Sequence, residues 1–177
     1  MDKYVKLAKD SIVSYLKTGK IMGIPEDLPE SFYSGRKGVF VTIYERSNPR
    51  KKLRGCIGTF APTKSNIAEE IIENAVSSAF YDPRFDPITK EELAGLEFEV
   101  SLLYPPQEIE SIKKLDAKKY GIIVRSEDRK TGLLLPDIEG VETPEHQISI
   151  ACQKAGIDQG SEKIQLYRFT VEKHKIN

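Results

Sequence analysis

The chain has 177 residues, with 27 basic and 27 acidic side chains, no tryptophan and two cysteines. A formal net charge of zero gives no global reason to expect nucleic acid or an anionic membrane as partner. The length suits one large domain or two small ones with a substantial core. Cys56 and Cys152 stand far apart, and neither has a CxxC partner, which argues against a zinc knuckle or a dithiol redox motif. The polar, Lys-rich start lacks the apolar stretch of a signal peptide. No run approaches the ~18 apolar residues of a membrane span. The expectation is a soluble, cytoplasmic protein with free thiols.

In chain order, Tyr4, Val5, Ala8, Ile12, Tyr15 and Leu16 recur at helical spacing over residues 3–17, with Asp2 to cap the start and Gly19 the end. Residues 20–37 carry Gly23, Pro25, Pro29 and Gly35 and read as an irregular connection. Gly38 to Glu45 is the first strand, and 47–52 a polar turn leading by hairpin into a second. Ser65 is placed to cap a helix whose apolar rows run through Ile67, Ile71, Ala75 and Ala79 and through Ala68, Ile72, Val76 and Phe80. It stops at Asp82-Pro83, because a residue before proline is disfavoured in the helical region. A stiff loop from Asp82 to Pro87 follows, and Thr89 with Glu92 fits a capping box for a short helix ending at Gly95.

Leu96 to Tyr104 alternates as a strand, closed by Pro105-Pro106. Residues 107–120 are ambiguous, with room for a short helix ending at Tyr120. Gly121 to Arg125 and Thr131 to Leu135 form a hairpin around Glu127-Asp128-Arg129-Lys130. Thr143-Pro144-Glu145 starts a helix that Gly156 ends, and Gln165 to Lys173 is the last strand. Hairpins outnumber βαβ candidates, so the class is α+β with a mostly antiparallel sheet. One domain over 1–177 is expected, with the prolines near 105 a place to divide a larger from a smaller lobe.

The stretch that carries candidate chemistry is Leu53-Arg54-Gly55-Cys56-Ile57-Gly58-Thr59-Phe60. Strict strand alternation puts Arg54, Cys56 and Gly58 on one face and Leu53, Gly55, Ile57 and Thr59 on the other. Gly55 and Gly58 inside a strand point to a bulge or to close approach of a ligand or another backbone. Cys56 is the candidate nucleophile, with Arg54 expected to lower its pKa; the competing reading is a small buried hydrophobe. Arg54 and Arg84 are candidate anion holders, or else internal partners of Asp82, Asp86 or Glu99. Glu99 is a candidate acid or base, although solvated surface competes for it as for Ser101, Asp137 and Glu139. Glu142 and His146 are only two ligands and do not make a zinc site. Cys152 reads as core. There is no GxGxxG, P-loop, GxSxG or HExxH motif, and no cofactor or metal is expected.

Leu53-Arg54-Gly55-Cys56-Ile57-Gly58 resembles the LRGCIG signature of the AMMECR family. Ala79 to Pro87, Leu96 to Leu103, Gly121 to Val124, Leu133 to Pro136 and Cys152 to Gly156 resemble that family's further blocks, in the same order. The resemblance covers nearly the whole chain. It implies one α+β unit of two unequal lobes with a cleft between them, and the signature strand near that cleft. It also implies a Memo-like protein and a radical-SAM protein as partners, with a biochemical activity that is not established for the family. The chain departs from the family around 157–163, which is Lys-, Glu- and Asp-containing rather than aromatic, and in having no tryptophan. The expected function is an enzyme-like Cys/Arg cleft for a small anionic substrate, built from Cys56, Arg54, Gly55, Gly58, Asp82 and Arg84. The alternative is a non-catalytic subunit or adaptor. An RNA-linked role is disfavoured by zero net charge and the lack of an aromatic–basic RNA motif.

Overall fold

The computed structural model describes residues 2–46 and 51–175. The chain forms two compact units, one running to Leu103 and resuming at Glu172, the other Tyr104–Val171. The class is α+β, as the pattern of hairpins indicated, with two four-stranded sheets and three α-helices among the described residues. Among the described residues no helix is long and apolar enough to cross a membrane.

The first unit begins with α1 (Lys3–Thr18). Asp2 caps it by accepting the N–H groups of Tyr4 and Val5, and Gly19 ends it at φ 66°. The irregular connection contains a 3-10 turn, Glu30–Phe32, that buries Phe32 and stacks its ring on Tyr4. Strands β1 (Gly38–Glu45), β2 (Lys52–Thr59) and β3 (Leu96–Leu103) follow, with α2 (Ile67–Phe80) between the last two. With β8 (Val171–Lys175) they form a sheet in the order β2-β1-β3-β8, so β2 is an edge strand. The polar turn expected at 47–52 falls largely on 47–50, which lie outside the described residues.

Val39, Val41 and Ile43 of β1 and Phe98, Val100 and Leu102 of β3 build the core with Ile71 and Ala75 of α2 and Val5, Ala8 and Ile12 of α1. Those β1 and β3 residues alternate along their strands, so one face of the sheet is apolar. The other face carries Phe40, Thr42 and Tyr44 of β1 beside Ser101, Glu99 and Glu97 of β3.

Three local expectations shift. The cap of α2 is Asn66, whose Oδ1 accepts the Glu69 N–H at 2.9 Å, rather than Ser65. Phe60 falls beyond β2 and is exposed. Glu92–Gly95 is a single 3-10 turn, although Glu92 does reach back to the Thr89 N–H at 2.7 Å.

The second unit holds β4 (Gln107–Ile109), β5 (Gly121–Ser126), β6 (Thr131–Leu134) and β7 (Ile164–Phe169), ordered β4-β7-β5-β6 and antiparallel throughout. The ambiguous 107–120 segment becomes a short strand and a 3-10 turn, Ile112–Lys114, in place of a helix ending at Tyr120. The helix α3 (Pro144–Ala155) packs Ile148, Ala151 and Cys152 against Ile122, Val124 and Leu134. Cys152 is core, as its neighbours indicated. The run read as one last strand is two, β7 and β8, which belong to different sheets.

Candidate functional site

The signature segment is held from three directions. From β1, Thr42 stands opposite Cys56, and their side chains meet at 3.3 Å between Oγ1 and Sγ. From α2, Ser78 Oγ accepts the Ile57 N–H at 2.8 Å and donates to the Val41 carbonyl at 2.7 Å. From the loop after α2, Asp82 Oδ2 accepts the Cys56 N–H at 2.9 Å, and Arg84 Nη2 donates to the Cys56 carbonyl at 3.2 Å. Both main-chain groups of Cys56 on the free edge of β2 are therefore occupied, which blunts an edge that could otherwise template further strand pairing.

Asp82 and Arg84 also bind each other in a fork, Nε to Oδ1 at 2.9 Å and Nη2 to Oδ2 at 2.7 Å, and Asp82 accepts the Arg84 N–H at 3.1 Å. The Asp82 side chain is 2% exposed, whereas that of Arg84 is 54% exposed. The guanidinium hydrogen bonds, joined by the Cys56 N–H, hold the Asp82 carboxyl well below the usual carboxylate range. Of the internal partners considered for Arg84, Asp82 is the one it takes.

Arg54 does not share a face with Cys56 as strict alternation requires. The β1–β2 register runs Ile43↔Gly55 and then Tyr44↔Leu53, so Arg54 is the extra residue of a β-bulge. The slip puts Leu53, not Arg54, in Cys56's row, because an inserted residue reverses alternation beyond it. Arg54 is buried and forks onto Glu92, Nε to Oε1 at 2.9 Å and Nη2 to Oε2 at 3.3 Å, a partner not among those expected. Burial opposes ionisation of Glu92, yet the Arg54 fork and the Thr89 N–H keep its carboxyl below the ordinary value. Phe85 packs near both guanidinium groups, with ring-centroid distances of 5.9 Å to Arg54 and 5.4 Å to Arg84.

The thiol itself departs from expectation. Burial pushes the Cys56 thiol up, and the charges of Asp82 and Glu99 add to the rise. The Thr42 hydrogen bond and the Arg84 charge pull the other way without overcoming it. Arg54 is not among the groups that act on it most strongly, in keeping with the bulge.

Glu99 and Ser101 are buried rather than solvated, at 8% and 2% exposure. Glu99 stands opposite Thr42, so Cys56, Thr42 and Glu99 form one row across β2, β1 and β3. Lys175 of β8 reaches Glu99 at 3.2 Å. Tyr44, two residues along β1 from Thr42, has its hydroxyl pushed up to about 12 by burial, then by Glu99 and Cys56.

The glycines are accounted for by close approach of the protein's own atoms. A β-carbon on Gly58 would stand 2.3 Å from Phe40 Cγ and 2.4 Å from the Val39 carbonyl oxygen. One on Gly55 would stand 2.3 Å from the Ser78 carbonyl oxygen, so its absence lets α2 lie directly on β2. The space beside Gly58 is thus filled by the cross-strand Phe40 ring.

Sequence reasoning missed Glu92, Thr42, Lys175 and Glu70. Glu70, 1% exposed, gathers Thr59 Oγ1, Thr63 and the Lys64 N–H, and so fastens the segment leaving β2. The capping-box spacing from Thr89 was a signal for Glu92; nothing in the sequence marked Thr42 or Lys175. Among the described residues no group of three or more His, Cys, Asp or Glu could hold a metal ion.

An α+β chain with this clasped signature strand falls in a defined class: residues 5–174 match the AMMECR1 family, and the chain belongs to it. It is 46% identical over 172 residues to a protein of Thermotoga maritima, covering 97% of each chain. A Clostridium acetobutylicum protein is 46% identical over 175 residues, but the chain spans only 36% of that longer relative. The crystal structure of an uncharacterized protein from Pyrococcus horikoshii superposes with a TM-score of 0.85 at 36% identity, over 96% of this chain and 88% of that one.

Proposed function

We propose that this protein is a binding component of a larger assembly, and that its signature strand is scaffold for a docking loop. The observation that carries this reading is the double clasp on Cys56, by which Asp82 and Arg84 fix the loop from Tyr81 to Phe85 to β2. A loop fixed in advance loses little conformational entropy on binding. It presents Tyr81, 63% exposed, and the outer part of Arg84 beside Phe85. Tyrosine and arginine are among the residue types enriched at the energetic centres of interfaces. Burial pushes the Cys56 thiol up, which disfavours the thiolate that a cysteine nucleophile needs. That the chain matches about a third of the Clostridium relative is in keeping with a module that works beside other domains. The partners the family resemblance implies, a Memo-like and a radical-SAM protein, are the ones to test.

The test is co-purification of the tagged chain with each of these two proteins from the same genome. Binding to at least one is expected, weakened about tenfold or more by Tyr81→Ala with the fold intact. No binding to either would remove the support for this reading.

A second reading keeps the Cys/Arg site as an enzyme for a small anionic substrate, with Cys56 as nucleophile and Glu99 as acid or base. One observation favours an anion at Arg54, although the bulge takes that residue off the Cys56 face: Arg54 Nη1 is buried and lacks a hydrogen-bond partner among the described residues. A buried, unsatisfied charged donor is costly, and an anion would satisfy it.

A further inference from the structure

We propose that the second unit carries a separate binding site for a small molecule bearing two or more phosphoryl groups. The site is a cavity of about 780 Å³ at the end of the β5–β6 hairpin and the start of β7, within the size range of small-ligand pockets. Arg125, Arg129 and Lys163 line it, with Glu127 as the one carboxylate among its described lining residues. Two more positive than negative groups therefore face one concavity, in a chain whose net charge is zero. Like charges gathered without partners repel, and an anionic ligand relieves that repulsion.

Each cation is available. Arg129 and Lys163 have no ion-pair partner among the described residues, and Arg125 lies on the Tyr167 ring at 5.5 Å, which holds its guanidinium plane. The nearby carboxylate of Glu162 is already engaged by Lys130 at 2.8 Å and by the Asp158 N–H at 3.0 Å. That Lys130–Glu162 pair also ties the segment carrying Lys163 to the hairpin.

Polar groups stand in register with the charges. Gln165 and Thr131 are the Cα partners of Arg125 on the two neighbouring strands, so amide, guanidinium and hydroxyl lie in one row. Arginine forks bind phosphoryl oxygens in pairs, and a lysine adds a point charge. Two arginines and a lysine match more than one phosphoryl group.

The turn adds an independent point. Arg129 sits at φ 65°, a conformation that suits glycine and strains other residues. The turn is closed by the Arg129 N–H on the Ser126 carbonyl and the Ser126 N–H on the Lys130 carbonyl, both at 3.0 Å. A hairpin of this shape is easier with glycine at that position, so replacing Arg129 by glycine removes the guanidinium without disturbing the turn.

The experiment is isothermal titration of the full chain with inorganic pyrophosphate at low ionic strength. Saturable one-to-one binding is expected, weakening as salt is added. Arg129→Gly should weaken it about tenfold or more while leaving the melting temperature unchanged or raised. Arg125→Gln should weaken it similarly, with the amide spectrum checking its fold. Absence of saturable binding overturns the proposal. So does undiminished binding by folded Arg129→Gly, or tight binding of a single-stranded oligonucleotide that pyrophosphate does not displace.

Discussion

Asp82 and Cys56, 26 positions apart, are joined side chain to main chain: Asp82 Oδ2 accepts the Cys56 N–H at 2.9 Å. Because the Asp82 carboxyl is 2% exposed, this bond and the Arg84 fork are shielded from competing water. Removing the acceptor leaves a main-chain donor and a guanidinium without their partner. Asp82→Ala should cost about 2 kcal/mol and lower the melting temperature by about 4–8 °C. Thermal unfolding followed by circular dichroism checks this.

The same carboxyl predicts a pH dependence. Its folded pKa is depressed by the Arg84 hydrogen bonds first, so its stabilisation is fully present above the unfolded carboxylate value of ~4. It is lost progressively as pH falls below that value toward the folded one. The stability difference between wild type and Asp82→Asn should be constant from neutrality to about pH 5 and shrink below about pH 4. A difference that grows on acidification would contradict the assignment.

The Arg54–Glu92 fork links β2 to the turn before β3, with the Arg54 side chain 9% exposed and that of Glu92 33% exposed. A double-mutant cycle with Arg54→Lys and Glu92→Gln should give a coupling of roughly 1–3 kcal/mol, because lysine cannot reproduce the fork. Additive single effects in denaturant unfolding would show the pair to be incidental.

How much of this was legible in the sequence depends on the range over which the information lies. The helices α1 and α3 were readable from Asp2, Gly19, Thr143 and Gly156, because caps are local and periodicity is strong. The bulge at Arg54 was not, since a register slip exists only relative to the partner strand β1. Strict alternation therefore placed Arg54 beside Cys56 and led to an expected lowered thiol pKa. The division of the last strand was equally hidden, because residues on either side of Thr170 favour extended structure and nothing local assigns them to different sheets. Cys56, Asp82 and Arg84 were found as candidates from residue type. Their arrangement, a main-chain clasp, depends on where α2 ends against β2.

Burial sets the expected reactivity of the thiol. Iodoacetamide labelling of Cys56 against pH, read by mass spectrometry, should show a midpoint above the free-thiol value of ~8.5. Glu99→Gln should lower that midpoint, because it removes one of the charges that raise it. A wild-type midpoint near neutrality would support an activated nucleophile.

The claim that this protein binds and does not catalyse through Cys56 is tested most directly by complementation with Cys56→Ser. Serine keeps nearly the same size and removes most of the nucleophilicity. In cells lacking the protein, and scored by a phenotype the wild type restores, Cys56→Ser should restore it fully, whereas Tyr81→Ala should not. Loss of complementation by a folded Cys56→Ser that still binds its partners would contradict the account and establish the thiol as the reacting group.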